Sequence, residues 1–254
     1  MARKRKLRKG VSILLDIILA AALLTAAFSG YKLYQGLHTY HTAQKAYDDI
    51  RDTVIVKPVQ SDDSPSGMKQ IDWDSLHEIS PDVIAWIEME DSSIDYPVVQ
   101  GADNVWYLKH LIDGSYNDAG TVFMDASCSK DFTGINTVLY AHHMLNEPLM
   151  FAEIENFEDQ GYYESHRRIL IHTPDAEYEM YPVAGMVTTG TSEYIRLSFA
   201  GDEDYLSYID WFVSRSTFIS QETITAGDQM MMLSTCSYDV TDGRYVLIGK
   251  LVKL

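Results

Sequence analysis

The chain has 254 residues, 46% of them hydrophobic and 22% charged, which excludes a disordered or collagen-like polymer and leaves room for one catalytic domain plus appendages. Twenty basic against 37 acidic residues give a net charge of −17, and so acidic a body lacks the basic face of a general nucleic-acid binder. Two cysteines, Cys128 and Cys236, are too few for a disulfide scaffold or a four-cysteine zinc site.

The N-terminus carries its own charge pattern. Residues 1–10 hold Arg3, Lys4, Arg5, Lys6, Arg8 and Lys9 without an acid, so the other 244 residues carry 14 bases against 37 acids, a net of −23. Val11 to Phe28 follows, eighteen residues interrupted only by Ser12, Asp16 and Thr25. At ~1.5 Å per residue such a helix spans about 27 Å, close to the ~30 Å hydrocarbon core of a bilayer. Basic residues before the span and acidic ones after it predict a cytoplasmic N-terminus and a body outside the cell membrane. A cleaved signal peptide is the alternative, with Ala27-Phe28-Ser29 as its processing site. The apolar run exceeds the ~7–15 residues of a signal core, which favours an uncleaved single-pass anchor over 11–30. Asp16 is costly in lipid and belongs near the cytoplasmic edge or against a partner. The body is exported on either reading, and exported proteins usually pair their cysteines. A disulfide between Cys128 and Cys236, 108 positions apart, is therefore one option.

From Leu37, the residues Leu37, Tyr40, Ala43, Tyr47 and Ile50 recur at helical spacing and predict a juxtamembrane helix. Ser61–Gly67 is polar and breaker-rich, a linker or loop. Asp72 or Asp74 can cap a short helix over Trp73–Ile79. Beyond Pro81, strands dominate: Val83–Ile87, Ile94–Val99, Gly120–Met124, Asn136–Ala141, Arg168–Thr173, Glu177–Val187, Gln229–Cys236 and Arg244–Val252. Pro174-Asp175-Ala176 supplies a turn. So many short strands predict a closed or nearly closed β-barrel. One segment departs from this: Asp204–Arg215 places Tyr205, Tyr208, Ile209, Phe212 and Val213 at helical spacing, a helix inserted between two late strands. The predicted organisation is a basic segment (1–10), an anchor (11–30), a juxtamembrane helix and linker (31–70) and a catalytic domain (71–254).

The chemistry gathers at strand ends. Met230 to Cys236 is an apolar strand ending in a thiol, and Arg244 opens the next apolar run. An antiparallel hairpin through Ser237–Gly243, with Asp242-Gly243 as turn residues, would return Arg244 to Cys236. A guanidinium there favours a thiolate and can hold an acyl oxyanion. The plain alternative makes Arg244 a solvated edge charge and Cys236 a small buried hydrophobe. A cysteine nucleophile needs a base, because a thiol of pKa ~8.5 is only about 3% ionised at pH 7. Thr137–Met144 is another apolar strand, ending in His142 and His143, and two strands of one barrel can meet at its rim. His38 and His41 fall on the juxtamembrane helix and His77 on the short one; His166 and His172 lack a comparable setting. The His142-His143 pair could also bind metal, but no third ligand has convincing spacing.

These residues carry a family resemblance. Leu233-Ser234-Thr235-Cys236 followed by Arg244 resembles the sortase signature, and Tyr140-Ala141-His142-His143-Met144 resembles the segment that holds the sortase histidine, with His142 in the catalytic place. The family usually has glycine where this chain has Ala141, which predicts a small local difference and retained activity. Ile94–Gln100, Asp103–Leu108 and Gly120–Asp125 are similar to class B segments, as are the late helix and the N-terminal helical region. The resemblance covers most of the chain beyond Ile71. It implies a mainly β fold, an eight-stranded sortase-type barrel with N-terminal helices and the inserted helix. It also implies a transpeptidase in which Cys236 attacks after Thr in an Asn-Pro-x-Thr-x sorting signal, and His142 protonates the leaving amine and then deprotonates the incoming one. The family's active pair is held to be a thiolate with an imidazolium. Arg244 would position substrate and stabilise the oxyanion. Asn104, Leu108 and Ser234, with Tyr194 and Ile195, would line the peptide groove; Ser237 has no assigned role.

The implied partners are exported proteins with a C-terminal sorting signal and an amine of peptidoglycan or its lipid-linked precursor. No nucleic acid, metal or other cofactor is expected, since no glycine-rich phosphate loop or EF-hand spacing occurs. Cys128 is then a spare thiol, exposed or buried. The acidic clusters Asp202-Glu203-Asp204 and Glu153/Glu155/Glu158/Asp159 read as solvated faces. The competing readings are a pilin-polymerising sortase or a hydrolase, and a non-enzymatic exported peptide-binding module.

Overall fold

The computed structural model describes residues 2–56, 69–144, 148–190, 194–237 and 243–254, with the side chains of 2–9, 236 and 237 outside the description. The linker expected at Ser61–Gly67 and the turn residue Asp242 therefore lie outside the described residues. The chain divides into two compact units, residues 1–42 and 43–254.

The first unit is helical. It belongs to α1 (Ala2–Val54), so the predicted anchor and juxtamembrane helix are continuous. Val11, Ile13, Leu14, Leu15, Ile17, Ile18, Leu19, Leu23, Leu24 and Phe28 are all more than half exposed. This apolar helix buries none of its oily surface within the chain.

The second unit opens with the end of α1, where Ala43, Tyr47 and Val54 are buried. It thus takes in helical residues that spacing alone assigns to a juxtamembrane segment. A two-residue pairing joins β1 (Ile55–Val56) to β2 (Gln70–Ile71). Then comes α2 (Trp73–Ile79), capped as expected: Asp72 accepts from the Ser75 N–H at 3.0 Å and from its hydroxyl at 2.8 Å.

Eight strands follow: β3 (Val83–Glu88), β4 (Asp95–Val99), β5 (Val122–Met124), β6 (Asn136–Tyr140), β7 (Ile169–His172), β8 (Glu177–Thr189), β9 (Gln229–Ser237) and β10 (Gly243–Lys253). They close into a barrel in the order β10-β8-β7-β3-β4-β5-β6-β9. Closure removes the free edges that an open sheet would expose. Two neighbouring pairs, β4 with β5 and β6 with β9, are parallel, and the others are antiparallel. Parallel pairing puts the C-terminal ends of β6 and β9 at the same rim. Residues 230–235 of β9 are buried without a break, as a strand covered on both faces requires. One cover is α4 (Asp202–Val213), whose Tyr205, Tyr208, Ile209 and Phe212 pack with Val138, Met230, Met232, Val246 and Ile248.

The inserted helix starts two residues before the predicted Asp204 and stops at Val213. The strand expected from Gly120 begins at Val122, because Gly120 takes φ +63° and turns the chain first. Three short helices escaped the periodicity argument, being too brief to show it: 3-10 turns at Trp106–Leu108 and Ala152–Glu158, and α3 (Gln160–Ser165). Much of the second acidic cluster is engaged, contrary to the solvated reading. Glu153 accepts from the Ser93 N–H and the Tyr162 hydroxyl, both at 2.9 Å, Glu155 pairs with His143 at 3.0 Å, and Asp159 caps α3. In the first cluster, Asp204 pairs with Arg196 at 2.5 Å.

A charged network ties the end of α1 to the barrel wall. Arg51 and Lys69 both pair with Asp95, at 2.8 and 2.6 Å, and Lys69 also pairs with Glu88. Glu88 in turn bonds His172, which is 1% exposed and pairs with Glu177 as well. Burial alone would push the His172 pKa down, but the Glu177 and Glu88 carboxylates outweigh it and raise it to about 9. The raised value means that this stabilisation is complete below the ordinary pKa of ~6.5 and is lost as pH climbs through about 9. Denaturant melts at pH 6 and pH 10 should show His172→Gln losing on the order of 2 kcal/mol less stability than the parent across that interval. Equal losses in the two chains would refute this account.

Candidate active site

The site is a cavity of about 270 Å³ at the rim where β6 and β9 end. Its lining brings together His142, Arg244, Asn104, Leu108, Ser234, Tyr194 and Ile195, every expected site residue whose side chain is described. Phe123, Tyr140, Ala141, Gly190 and Thr235 complete it.

Register explains the convergence. Along the parallel pair, Tyr140 is level with Ser234, and the Ala141 N–H donates to the Ser234 carbonyl at 3.3 Å. Carrying that register on by two residues sets His142 level with Cys236, one interstrand spacing of about 4.8 Å away. On the other side of β9, Arg244 is the direct partner of Cys236 in the antiparallel ladder. The expected hairpin is therefore present. The Cys236 side chain itself lies outside the described residues, so its position is fixed here by the backbone alone.

Each lining group is held from behind. The His142 ring Nε2 lies 2.7 Å from the Leu108 carbonyl oxygen. A carbonyl can only accept, so Nε2 carries a proton. Ala141 is small and buried, and it is not among the described residues with positive φ, so alanine meets no backbone conflict there. The Arg244 guanidinium donates to the Gly243 carbonyl at 2.8 Å. The Tyr194 and Ser234 hydroxyls lie 3.0 Å apart, and Tyr208 of α4 donates to the Tyr194 carbonyl. The inserted helix thereby fixes the wall carrying Tyr194 and Ile195.

Sequence reasoning passed over Asp125. This buried carboxylate accepts from the Asn104 amide and the Tyr140 hydroxyl at 2.8 Å each, and from the Ser127 N–H at 2.8 Å. It locks the 101–121 segment, which brings Asn104 and Leu108, against the end of β6. Its place at the end of an apolar strand was the available clue, since a buried acid must be satisfied. Cys128 is a free thiol, half-buried, with its Sγ 3.7 Å from the Asn136 carbonyl and 3.4 Å from the Val138 N.

The Sortase domain family model matches residues 87–252, from β3 to β10. The chain belongs to the sortase family. It is similar to Sortase B of Staphylococcus aureus, with 32% identity over 184 residues, covering 72% of this chain and 75% of that protein. Among solved structures, it is similar to an S. aureus sortase B–substrate complex and to that enzyme complexed with triglycine, each at 32% identity and TM-score 0.68. These superpositions cover 72% of this chain and 85% and 86% of those. Sortase B from Bacillus anthracis in complex with AAEK1 matches at 29% identity and TM-score 0.73, covering 86% of this chain and the whole of that one. The family assignment makes the protein a cysteine transpeptidase, and its eight-stranded barrel with a helix between late strands is the class B architecture.

Proposed function

We propose that this sortase cleaves an Asn-Pro-x-Thr-x type sorting signal after Thr and transfers the acyl group to an amine of the cell wall or its precursor. The observation that carries the reading is the register that sets His142 and Arg244 on either side of Cys236, at a cavity lined by Asn104, Leu108, Ser234, Tyr194 and Ile195. The S. aureus relative has been captured with a substrate and with triglycine, which supports a peptide donor and an amine acceptor for this chain too.

In this mechanism the Cys236 thiolate attacks the Thr carbonyl carbon, and the C–N bond breaks as a thioester forms. The His142 imidazolium gives its proton to the departing amine. The neutral ring then takes a proton from the incoming amine, which displaces the thiolate and forms the new amide. With Nε2 committed to Leu108, Nδ1 is the nitrogen that exchanges this proton. Arg244 holds the negative charge that gathers on the carbonyl oxygen. Residues 11–30 anchor the enzyme in the membrane with the barrel outside, a reading supported by the uncovered apolar residues of α1.

Full-length protein in detergent, mixed with an Asn-Pro-x-Thr-x peptide and triglycine, should yield a peptide ligated through Thr, and a vinyl sulfone analogue should add its mass to the Cys236 peptide. Hydrolysed peptide alone would make water the acceptor and refute transfer. No adduct at Cys236 would refute the nucleophile.

A further inference from the structure

A chain of hydrogen bonds runs from outside the cavity to the His142 ring. Tyr47 stands near the end of α1, within the same compact unit as the barrel, and is 2% exposed. Its hydroxyl lies 2.7 Å from the Gly120 carbonyl oxygen and 2.8 Å from the Thr121 hydroxyl. Burial pushes the phenol pKa far up, so it keeps its proton and its capacity to donate. Thr121 passes the constraint on. Its N–H donates to the Tyr107 carbonyl at 3.0 Å and its hydroxyl to the His110 carbonyl at 2.8 Å. Those two carbonyls bracket Leu108, whose own carbonyl accepts from His142 Nε2. Gly120 leaves little slack: a Cβ there would come within 2.5 Å of the Tyr107 oxygen and 2.9 Å of the Leu108 oxygen.

We propose that Tyr47 is a positioning residue for the transpeptidation, holding through Thr121 and the 107–110 segment the Leu108 carbonyl that orients the His142 ring. The inference rests on the reading of His142 as acid and base. Tyr47 does not line the cavity, so it acts only through this chain. Its ring also packs edge-on against Tyr96, with centroids 5.4 Å apart, a contact that phenylalanine would keep. Tyr47→Phe therefore removes the clamp and little else. A ring freed to rotate spends less time in the geometry that proton transfer needs.

In the full chain in detergent, Tyr47→Phe should lower kcat about tenfold and leave KM for the sorting peptide within about twofold. The His142 ring N–H signal in ¹⁵N-histidine spectra, identified with His142→Gln, should shift or broaden. Tyr163→Phe is the matched control. It removes another buried phenol, one that accepts from the Gln221 N–H at 2.8 Å, and should cost stability while leaving kcat and the His142 signal in place. A Tyr47→Phe chain with parental kcat and an unchanged His142 signal overturns the proposal. If that chain does not fold, Thr121 decides: Thr121→Ser, which keeps the hydroxyl, should turn over faster than Thr121→Val, and equal rates overturn it. If the parent accepts no tested peptide, the His142 signal alone settles the role of Tyr47, separately from the choice of substrate.

Discussion

A Cys236→Ala chain is expected to form no ligated product, with turnover down by at least about 10⁴-fold, because the acyl group then has no atom to be carried on. No other described group can stand in. Cys128 is the remaining thiol, and burial pushes its pKa up, which keeps it protonated and poorly nucleophilic. Its sulfur is also engaged with Asn136 and Val138, away from the cavity lining. Cys128→Ala should therefore ligate at the parental rate. Peptide binding is expected to survive in Cys236→Ala, since the lining side chains are untouched, so fluorescence anisotropy with a labelled peptide separates lost chemistry from lost recognition. Ligation by Cys236→Ala would remove the nucleophile assignment, and unchanged rates in both variants would take the site itself elsewhere.

Much of this architecture was legible in advance, for physical reasons that differ between elements. Strands buried on both faces must be apolar throughout, so Met230–Leu233 and Tyr245–Ile248 announced themselves. The late helix carried its buried face at Tyr205, Tyr208, Ile209 and Phe212, a period no strand shares. Asp72 marked a helix start with its own side chain. What could not be read was pairing order. The parallel ladder between β6 and β9 joins residues roughly ninety positions apart, and nothing local to either strand encodes it. The convergence of His142 on Cys236 thus needed either the structure or the family resemblance. The supporting groups were hidden for another reason: Tyr47, Thr121 and Asp125 act through backbone carbonyls and single hydrogen bonds, which leave no spacing pattern. The acidic cluster at Glu153 and Glu155 misled because charge density alone does not say which carboxylates meet a buried N–H or a histidine.

Arg244→Ala is expected to lower kcat/KM about 10²–10³-fold, the usual cost of removing one oxyanion donor. Arg244 sits in β10 between Cys236 of β9 and Thr188 of β8, hydrogen-bonded into the ladder on both sides. The strand cannot slide without breaking pairs along its length, so the guanidinium is aimed before substrate arrives and little reorganisation is left for the transition state. The Arg244 side chain is half-exposed at the rim, and its truncation should leave the melting temperature nearly unchanged. Arg244→Lys separates charge from geometry. An ammonium offers a point charge without the planar fork, so it should recover only part of the loss. Full recovery by lysine would show that charge beside the thiolate is the whole contribution. If Arg244→Ala itself turns over within about threefold of the parent, the arginine is a solvated edge residue and the oxyanion is held by backbone N–H groups at the end of β9 instead.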